Sequence, residues 1–402
     1  MKKTNLIRRA AILLLCAAMA AAPLTGCADT QAEETPETAP QTDESSPQTG
    51  ADVETPAETS PEPSADSSPD FAAANALLPP STVMMTINGE SALWDEYFFA
   101  NYAVISSVAS NMASSFGAMP DWDFQLTEDM TFGEFVADAA YNEMLTSRAV
   151  DVGAQSLGIS LTDEARADID SQVAALEAQL GGAEELAAYF ESVYCSEAMF
   201  RRMMETDYLR SLCFAELYGE NGGNLSDGDI DSYAETNGFM MAKHILKLTM
   251  DMSTRQPLPD DEIAAARAAA DEILAELDGY SGDDFGGLFD ELMNAHSEDS
   301  GLPGNPGGYL FAPGSMVASF EDATRALEIG EHSGIVESEY GLHIIYRLPV
   351  DYDASPSSAS GYTLRYMAAS ELFERTALST WRDSLTVELT DAYTSLDLSG
   401  VF

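Results

Sequence analysis

Two histidines lie in the middle of two short apolar segments in the C-terminal half of the chain. His244 lies within residues 242–248, and His343 lies within residues 341–348. In an extended strand alternate side chains share one face, so each histidine would point to the same side as apolar residues two positions away. If the two strands are neighbours, both imidazoles point into one interior and can connect through a hydroxyl group. The alternative is that both are only core histidines with satisfied hydrogen bonds.

Residue patterns for other common chemistry are missing from the sequence. It contains no CxxC motif and no group of cysteines and histidines with the spacing of metal ligands, so we expect no metal and no cofactor. The chain has 18 Lys+Arg against 68 Asp+Glu, and its formal net charge is −50. Binding to phosphate backbones needs a basic face, so nucleic acid is excluded as a partner.

Four sequence segments around the two histidines resemble the parvulin type of peptidyl-prolyl isomerase in their order and spacing. They are Ala242-Lys243-His244-Ile245-Leu246; Asp284-Phe285 followed by His296-Ser297-Glu298-Asp299; Gly307-Gly308-Tyr309-Leu310 followed by Gly314-Ser315-Met316-Val317 and Phe320-Glu321-Asp322-Ala323; and Gly330-Glu331-His332-Ser333 followed by Tyr340-Gly341-Leu342-His343-Ile344-Ile345. The resemblance implies a small antiparallel four-stranded sheet with surrounding helices. It also implies cis/trans isomerisation of X–Pro bonds as the activity.

The resemblance implies roles for individual side chains. His244 and His343 would shape the site rather than do acid–base chemistry, and Ser338 would supply the hydroxyl that links them. Asp299 matches the position beside the substrate carbonyl. The residues that match the proline-pocket positions are Leu310, Met316 and Phe320.

Some positions depart from the parvulin pattern. Tyr309 and Phe311 replace the Asp and the last Gly of the family's GGDLG turn, and Ile335 stands where a proline is common. Because of these changes, the sequence does not decide which turn geometry forms near the proline pocket. The segment after the first strand carries only Lys247 and Arg255 as basic residues, so we expect no preference for phosphoserine.

The N-terminus predicts an exported lipoprotein. Residues 1–26 are typical of a secretory signal peptide, with a basic start and an apolar stretch over residues 10–22. That stretch is too short to span a membrane comfortably, which takes about 20 residues. It ends in Leu24-Thr25-Gly26-Cys27, which resembles a bacterial lipobox, so we predict that Cys27 is lipidated. The alternative is an ordinary signal peptide with an incidental cysteine.

An acidic tether is predicted between this cysteine and the folded part. Residues 28–81 contain no Lys or Arg, twelve acids and nine prolines. Such a segment buries too little apolar surface to offset its conformational entropy. We therefore expect a disordered spacer that holds the folded part away from a membrane.

The rest of the chain outside the parvulin-like segments is predicted to be mostly helical. Apolar residues recur at three- and four-residue steps, and Thr162 has the type and position of a helix N-cap. Residues 387–393 alternate loosely and predict a strand that pairs with residues 83–87. The predicted helices span residues 93–116, 132–157, 196–217, 226–235 and 363–385.

Two cysteines remain after the signal peptide and the lipid site are set aside. Cys195 and Cys213 lie in a helical stretch. They could form one disulfide outside the cytoplasm, or stay as two buried thiols, which is commoner for isolated cysteines on apolar helix faces. We favour the buried thiols.

These patterns together predict an α+β protein, with a helical N-terminal and C-terminal chaperone core and an inserted parvulin domain. With its lipobox and its flanking helices, the whole chain resembles a PrsA-type extracytoplasmic foldase, related in architecture to SurA. The predicted divisions are a signal peptide over residues 1–26, a tether over 27–81, a helical domain over 82–240, a parvulin domain over 241–349, and a C-terminal helix and tail over 350–402 that pack on the helical domain.

The predicted function is that of an extracytoplasmic peptidyl-prolyl isomerase and foldase for secreted proteins, anchored to the outer face of the bacterial cell membrane by Cys27. The alternative is a weakly catalytic or non-catalytic holdase that uses the parvulin domain as a binding platform. The expected partners are unfolded or newly secreted polypeptides with X–Pro bonds and the membrane, through the lipid. The sequence does not decide the oligomeric state, and a homodimer is one alternative.

Overall fold

The computed structural model of the chain describes residue 73 and residues 76–116, 121–356 and 361–399. Within them no helix is both long enough and apolar enough to cross a membrane. The predicted signal peptide, Cys27 and nearly all of the tether lie outside the described residues. The chain forms two compact units, Met1–Ser211 with Arg382–Phe402, and Leu212–Trp381. The domain boundaries predicted from the motifs stay a prediction.

The described residues combine short strands with mostly longer helices, which confirms the α+β class. The strands are β1 (Val83–Ile87), β2 (Glu90–Leu93), β3 (Gln125–Thr127), β4 (Met130–Thr131), β5 (Met240–Leu248), β6 (Met250–Asp251), β7 (Gln256–Pro257), β8 (Tyr309–Phe311), β9 (His332–Glu337), β10 (Gly341–Leu348) and β11 (Val387–Leu389). The helices are α1 (Trp94–Phe116), α2 (Phe132–Leu157), α3 (Asp163–Leu180), α4 (Ala183–Ser192), α5 (Glu197–Tyr218), α6 (Asp227–Thr236), α7 (Asp260–Asp278), α8 (Phe285–His296), α9 (Ala318–Ala326), α10 (Leu364–Leu372), α11 (Ser379–Asp383) and α12 (Asp391–Thr394).

A three-stranded sheet in the order β11-β1-β2 belongs to the first unit. The hairpin between β1 and β2 turns at Asn88 (φ 52°) and Gly89 (φ 82°), the left-handed pair that a two-residue turn of type I′ requires. β11 pairs antiparallel with β1, with Leu389 opposite Met85. The predicted pairing of the tail with β1 is therefore confirmed for β11. The strand ends earlier than predicted, because Thr390 caps the short helix α12 by accepting from the backbone N–H of Tyr393.

Helix starts in the first unit are set by local side-chain caps. Thr131 accepts from the backbone N–H of Glu134 while the Glu134 side chain accepts from the backbone N–H of Thr131, a complete capping box at α2. Thr162 caps α3 by accepting from the N–H of Ala165, as the sequence predicted. These bonds satisfy amide groups that a helix terminus otherwise leaves without partners.

The core of the first unit forms around the start of α1. Trp94, Tyr97 and Phe98 are buried there, and Leu78 and Leu398 pack against the same cluster. Ordered packing therefore begins before residue 82, where the tether was predicted to end.

The second unit contains an antiparallel four-stranded sheet in the order β8-β5-β10-β9. This confirms the predicted sheet. One face is covered by α7 and α8, with a core that includes Ile245, Phe289 and Ile344. The other face carries a smaller core around Phe320 of α9, and the candidate site lies on this second face.

The C-terminal helix of the second unit is interrupted. A π-helical turn over Phe373–Leu378 separates α10 from α11, where the sequence predicted one continuous helix. In this turn the Phe373 ring packs against those of Phe214 (centroids 5.8 Å apart) and Trp381 (5.7 Å). α10 also packs on α6 within the same unit.

Both remaining cysteines are free thiols, which agrees with the favoured alternative. Cys213 is buried and Cys195 is half-buried. Burial raises the pKa of Cys195 to about 12 and that of Cys213 to about 11. Both are therefore protonated and poorly reactive at neutral pH.

Candidate active site

The two histidines lie diagonally opposite on adjacent strands. His343 of β10 pairs with Leu246 of β5, and His244 pairs with Ile345. Both side chains point to the face that carries Phe320. Their rings stack at 5.2 Å with 17° between the planes, and the two Nδ1 atoms are 3.0 Å apart.

The predicted hydroxyl link between the histidines is wrong. Diagonal side chains on neighbouring strands are close enough for long or aromatic groups to meet, so the imidazoles contact each other directly. Ser338 instead lies beyond His343, with its Oγ 2.7 Å from Nε2. The same oxygen accepts from the backbone N–H of Tyr340 at 3.1 Å, which holds it in place.

Asp299 lies at the other end of this arrangement. Its Oδ2 is 3.1 Å from Nε2 of His244 and accepts from the hydroxyl of Tyr309 at 2.6 Å. Its Oδ1 accepts from the backbone N–H of Gly301 at 2.9 Å. Asp299 is thus part of the histidine network, and its side chain is only 16% exposed.

The loop that carries Asp299 is bonded to β5. The backbone N–H of Glu298 donates to the carbonyl of Leu246 at 2.8 Å, and the N–H of Leu246 donates to Oγ of Ser297 at 3.1 Å. These bonds fix the segment after α8 to β5. They explain how Asp299 is held beside a histidine 55 positions earlier in the chain.

Asp299 is an ionised acceptor. Hydrogen bonds from His244, Tyr309 and Gly301 hold its pKa well below the usual range, although burial of the carboxyl opposes them. A carboxylate only accepts hydrogen bonds, so Nε2 of His244 carries a proton and donates to it.

The ionised carboxylate sets the direction of the whole hydrogen-bond chain. When His244 is neutral, its Nδ1 has no proton and accepts from Nδ1–H of His343. Nε2 of His343 then accepts from the hydroxyl of Ser338. Burial, and to a smaller extent the neighbouring His244, lowers the pKa of His343 to about 4, so the His343 imidazole is neutral at neutral pH. Each ring nitrogen in this chain has a partner.

Aromatic rings form a floor against the two imidazoles. Phe320 is 3% exposed, and its ring meets His244 and His343 edge-on with centroids 5.2 and 5.7 Å away. Phe311 packs against Phe320 at 5.8 Å. Met316 is half-buried and packs against the same cluster, so an apolar surface lies open beside the hydrogen-bond chain.

A buried carboxylate fixes the loop that carries Met316. Glu321 in the first turn of α9 accepts from the backbone N–H of Met316 at 2.9 Å and of Gly314 at 3.1 Å. Burial raises the pKa of Glu321, but these amide bonds outweigh burial and leave the pKa below its usual value. Glu321 belongs to one of the parvulin-like segments, but the sequence alone assigned it no role.

The structure does not bring Leu310 together with Met316 and Phe320. β8 pairs with β5 so that Tyr309 lies opposite Ala242 and Leu310 opposite Met241, which directs Tyr309 to the site's face and Leu310 to the other face. The close approach of the two strands depends on Gly308 (φ +103°), where an added Cβ would lie 2.8 Å from the carbonyl oxygen of Ala242. Tyr309 was therefore missed as a site residue. Alternation within β8 separates it from Leu310, but the register against β5 decides which of the two faces the site.

The other two histidines lie outside this cluster. His296 ends α8 and is exposed, while His332 stacks on Phe285 with centroids 5.2 Å apart. Among the residues that the structure describes, no group of three or more His, Cys, Asp or Glu side chains is arranged to hold a metal ion.

The arrangement fits a reaction that breaks no covalent bond. A neutral imidazole with both nitrogens engaged is poorly placed to act as a general base. The apolar floor can bind a small ring and remove water from a neighbouring amide. Rotation about an X–Pro bond, whose barrier of about 18–20 kcal/mol comes from amide resonance, is such a reaction.

Residues 244–348 match the family model of the rotamases, described as a PPIC-type PPIase domain. The matched region contains both histidines, Asp299, Ser338 and the aromatic floor. These residues therefore form a parvulin-type peptidyl-prolyl cis/trans isomerase domain, as the four sequence segments predicted.

Similarity to known proteins extends beyond that domain. The chain is 29% identical to "Foldase protein PrsA" of Geobacillus kaustophilus over 253 residues, which covers 60% of this chain and 75% of the relative. It is 29% identical to "Chaperone SurA" of Methylococcus capsulatus over 164 residues, which covers 38% of this chain and 34% of the relative. A solved structure of peptidylprolyl isomerase (PrsA) from Bacillus anthracis covers 60% of this chain and 96% of that chain, at 21% identity and a TM-score of 0.24. The chain is thus similar to PrsA foldases and SurA chaperones.

Proposed function

We propose that this protein is an extracytoplasmic peptidyl-prolyl cis/trans isomerase and foldase that acts on unfolded or newly secreted polypeptides. One observation carries the proposal. Within the rotamase domain, the hydrogen-bond chain from Asp299 through His244 and His343 to Ser338 lies against an apolar surface.

The four polar residues hold the site in one geometry. His244, His343 and Ser338 form a fully hydrogen-bonded layer next to the ionised Asp299, so the bound X–Pro amide meets fixed dipoles instead of mobile water. Resonance places charge on the amide oxygen, and water stabilises that charge in the planar form. Removing the water favours the twisted transition state over the planar ground state.

The proline ring would bind against Met316 and Phe320. Phe320 supplies the floor because it is almost fully buried, and Met316 supplies an accessible wall because it is half-buried. The resemblance implied Leu310 as a third pocket residue. The ring of Tyr309 lies on the site's face instead, and we assign that wall to it.

The foldase role rests on a cleft in the first unit. This cleft of about 950 Å³ lies among α1, α2 and α5. Its walls include the apolar side chains of Phe99, Met144 and Met199. They also include the ion pair of Arg148 with Glu96 at 2.8 Å. A surface that combines apolar groups with charged groups suits extended client segments of varied sequence.

The predicted domain boundaries remain part of the proposal. Residues 82–240 and 350–402 would form the client-binding core, and residues 241–349 would carry the isomerase site. The β11–β1 pairing and the packing of α10 on α6 support a C-terminal segment that returns to the helical part.

A lipid anchor on the outer face of the bacterial cell membrane completes the proposal. Residues 1–26 would be the signal peptide and Cys27 the lipidated residue. The tether would follow Cys27 and end before Leu78, which packs into the core of the first unit. The chains carried by one lipidated cysteine hold a protein firmly, whereas a single acyl chain binds only marginally.

Isomerisation of short X–Pro peptides by the full mature chain tests the catalytic part. The unmodified protein should accelerate the reaction, and Met316→Ala should lower kcat/KM several-fold, about 1 kcal/mol of lost apolar contact. Met252→Ala, at a methionine that is 52% exposed in the β6–β7 turn, is the matched control and should change nothing.

Suppression of client aggregation, measured on the same preparations, separates the two functions. A protein that suppresses aggregation but does not accelerate isomerisation would be a holdase, and the catalytic part of the proposal would be wrong.

Membrane association tests the anchor. Cys27→Ser should release the protein from salt-washed membranes, while Cys16→Ser, a change of the same kind inside the signal peptide, should leave it bound. A Cys27→Ser protein that still sediments with membranes would exclude the lipid anchor.

A further inference from the structure

Tyr309 contacts Asp299 and His244, the first two residues of the hydrogen-bond chain. Its hydroxyl donates to Oδ2 of Asp299 at 2.6 Å, and its ring meets the His244 imidazole edge-on with centroids 5.7 Å apart. The backbone of Tyr309 is fixed by its pairing with Ala242, two residues before His244 on β5. Tyr309 is therefore attached to the same strand as the histidine that it contacts.

The carboxylate of Asp299 depends on Tyr309 for its orientation. Gly301 holds Oδ1, while Tyr309 and His244 share Oδ2. The bond from Tyr309 is the shortest of the three, as expected for a hydroxyl that donates to a carboxylate. Without it, the carboxylate can rotate away from Nε2 of His244 and still keep its bond to Gly301.

We propose that Tyr309 is a positioning residue of the isomerase site, which acts by locking Asp299 against His244. The locked carboxylate keeps the proton of His244 on Nε2 and so keeps Nδ1 as the acceptor for His343. The residue that departs from the parvulin pattern is thereby built into the network. This inference rests on the proposed isomerase function.

The competing explanation is that Tyr309 only fills space. Tyr309→Phe separates the two, because it removes the hydroxyl and keeps the ring. The matched control is Tyr346→Phe, the same change on the same sheet but on the opposite face, where Tyr346 packs with Ile344. Both variants are made in the full mature chain.

We expect Tyr309→Phe to lower kcat/KM about tenfold, the effect of one lost hydrogen bond to a charged group. Tyr346→Phe should leave it within about twofold of the parent. In an Asp299→Ala background Tyr309→Phe should have no further effect, because its target is gone. A tyrosine that only fills space would leave kcat/KM unchanged, because phenylalanine keeps the ring. An unchanged kcat/KM, or an equal loss in both backgrounds, would overturn the proposal.

Imidazole NMR supplies a readout that does not depend on turnover. With only four histidines in the chain, ¹⁵N-histidine labelling resolves each ring. In Tyr309→Phe the Nε2–H of His244 should exchange with water faster than in the parent, while the signals of His296 and His332 stay unchanged. An unchanged exchange rate would overturn the proposal. If the parent protein lacks isomerase activity, the proposed function fails, and this exchange rate still decides whether Tyr309 positions Asp299.

Discussion

Replacing Asp299 by asparagine should reverse the hydrogen-bond chain through the two histidines without unfolding the domain. The asparagine oxygen can accept from the N–H of Gly301, which places its NH₂ group against Nε2 of His244. Two donors cannot face each other, so His244 must move its proton to Nδ1. His343 then accepts at Nδ1 and donates from Nε2 to Oγ of Ser338, which has lone pairs available.

The cost of the change follows from the bonds that are altered. Three bonds to a carboxylate become bonds to a neutral amide, and each loses about 1 kcal/mol, the difference between charged and neutral hydrogen bonds. The asparagine has no charge to desolvate, which offsets part of this loss. We expect a destabilisation of about 1–3 kcal/mol, against a total stability of about 5–15 kcal/mol for a typical domain. The variant should therefore remain folded.

Long-range ¹H–¹⁵N NMR of histidine-labelled protein measures the proton positions directly. It is done at about pH 8.5, where free imidazole is neutral. The parent should show the Nε2–H form of His244 and the Nδ1–H form of His343. Asp299→Asn should show the Nδ1–H form of His244 and the Nε2–H form of His343. Asp290→Asn is the matched control, because Asp290 pairs with Lys243 at 2.6 Å and its side chain is 43% exposed. If both histidines in Asp299→Asn keep their protons on the same nitrogens as in the parent, Asp299 does not set the direction of the hydrogen-bond chain.

Three further predictions concern stability and the pocket loop. The folded-state pKa of His343, lowered to about 4 by burial, lies below the ordinary value of about 6.5, so the unfolded chain binds more protons between these values. The unfolding free energy should be highest above about pH 6.5 and fall by about 3 kcal/mol towards pH 4; in denaturant titrations His343→Gln should flatten this dependence and His296→Gln should not. Glu321→Gln should raise KM for X–Pro peptides several-fold, because one of its two amide bonds to the Met316 loop is lost, at about 1 kcal/mol; an unchanged KM would show that the loop is held by other contacts. Truncation after Leu385 removes β11 and should lower the melting temperature of the first unit while the four histidine NMR signals stay in place; an unchanged melting profile would contradict a supporting role for the β11–β1 pairing.

Local chemistry in the sequence was enough to predict most elements and one face of the site. The cap at Thr162 depends on residues within a few positions of one another, so their types decide the conformation. The alternation within β5 and β10 placed His244 and His343 on one face, because a strand has a strict period of two. The parvulin segments could be found for the same reason, since each is a short run with its own pattern.

The connections within the site required the tertiary structure. Tyr309 and Leu310 are adjacent in a three-residue strand, and only the register of β8 against β5 decides which of them faces the histidines. One residue of slip would exchange them. Likewise, the predicted hydroxyl link between the two imidazoles is wrong, because the distance between diagonal side chains depends on how the two strands pair.

The sequence by itself determined the fold class, most of the elements and the types of residue available for the site. The tertiary structure decided that Asp299, 55 positions after His244, anchors the hydrogen-bond chain, and that Tyr309 joins it. It also decided that residues 373–378 form a π-helical turn, where Phe373 packs between Phe214 and Trp381. The physical reason is the same throughout: caps, turns and alternation act over a few residues, whereas these contacts join segments whose distance is set only when the sheet and helices pack.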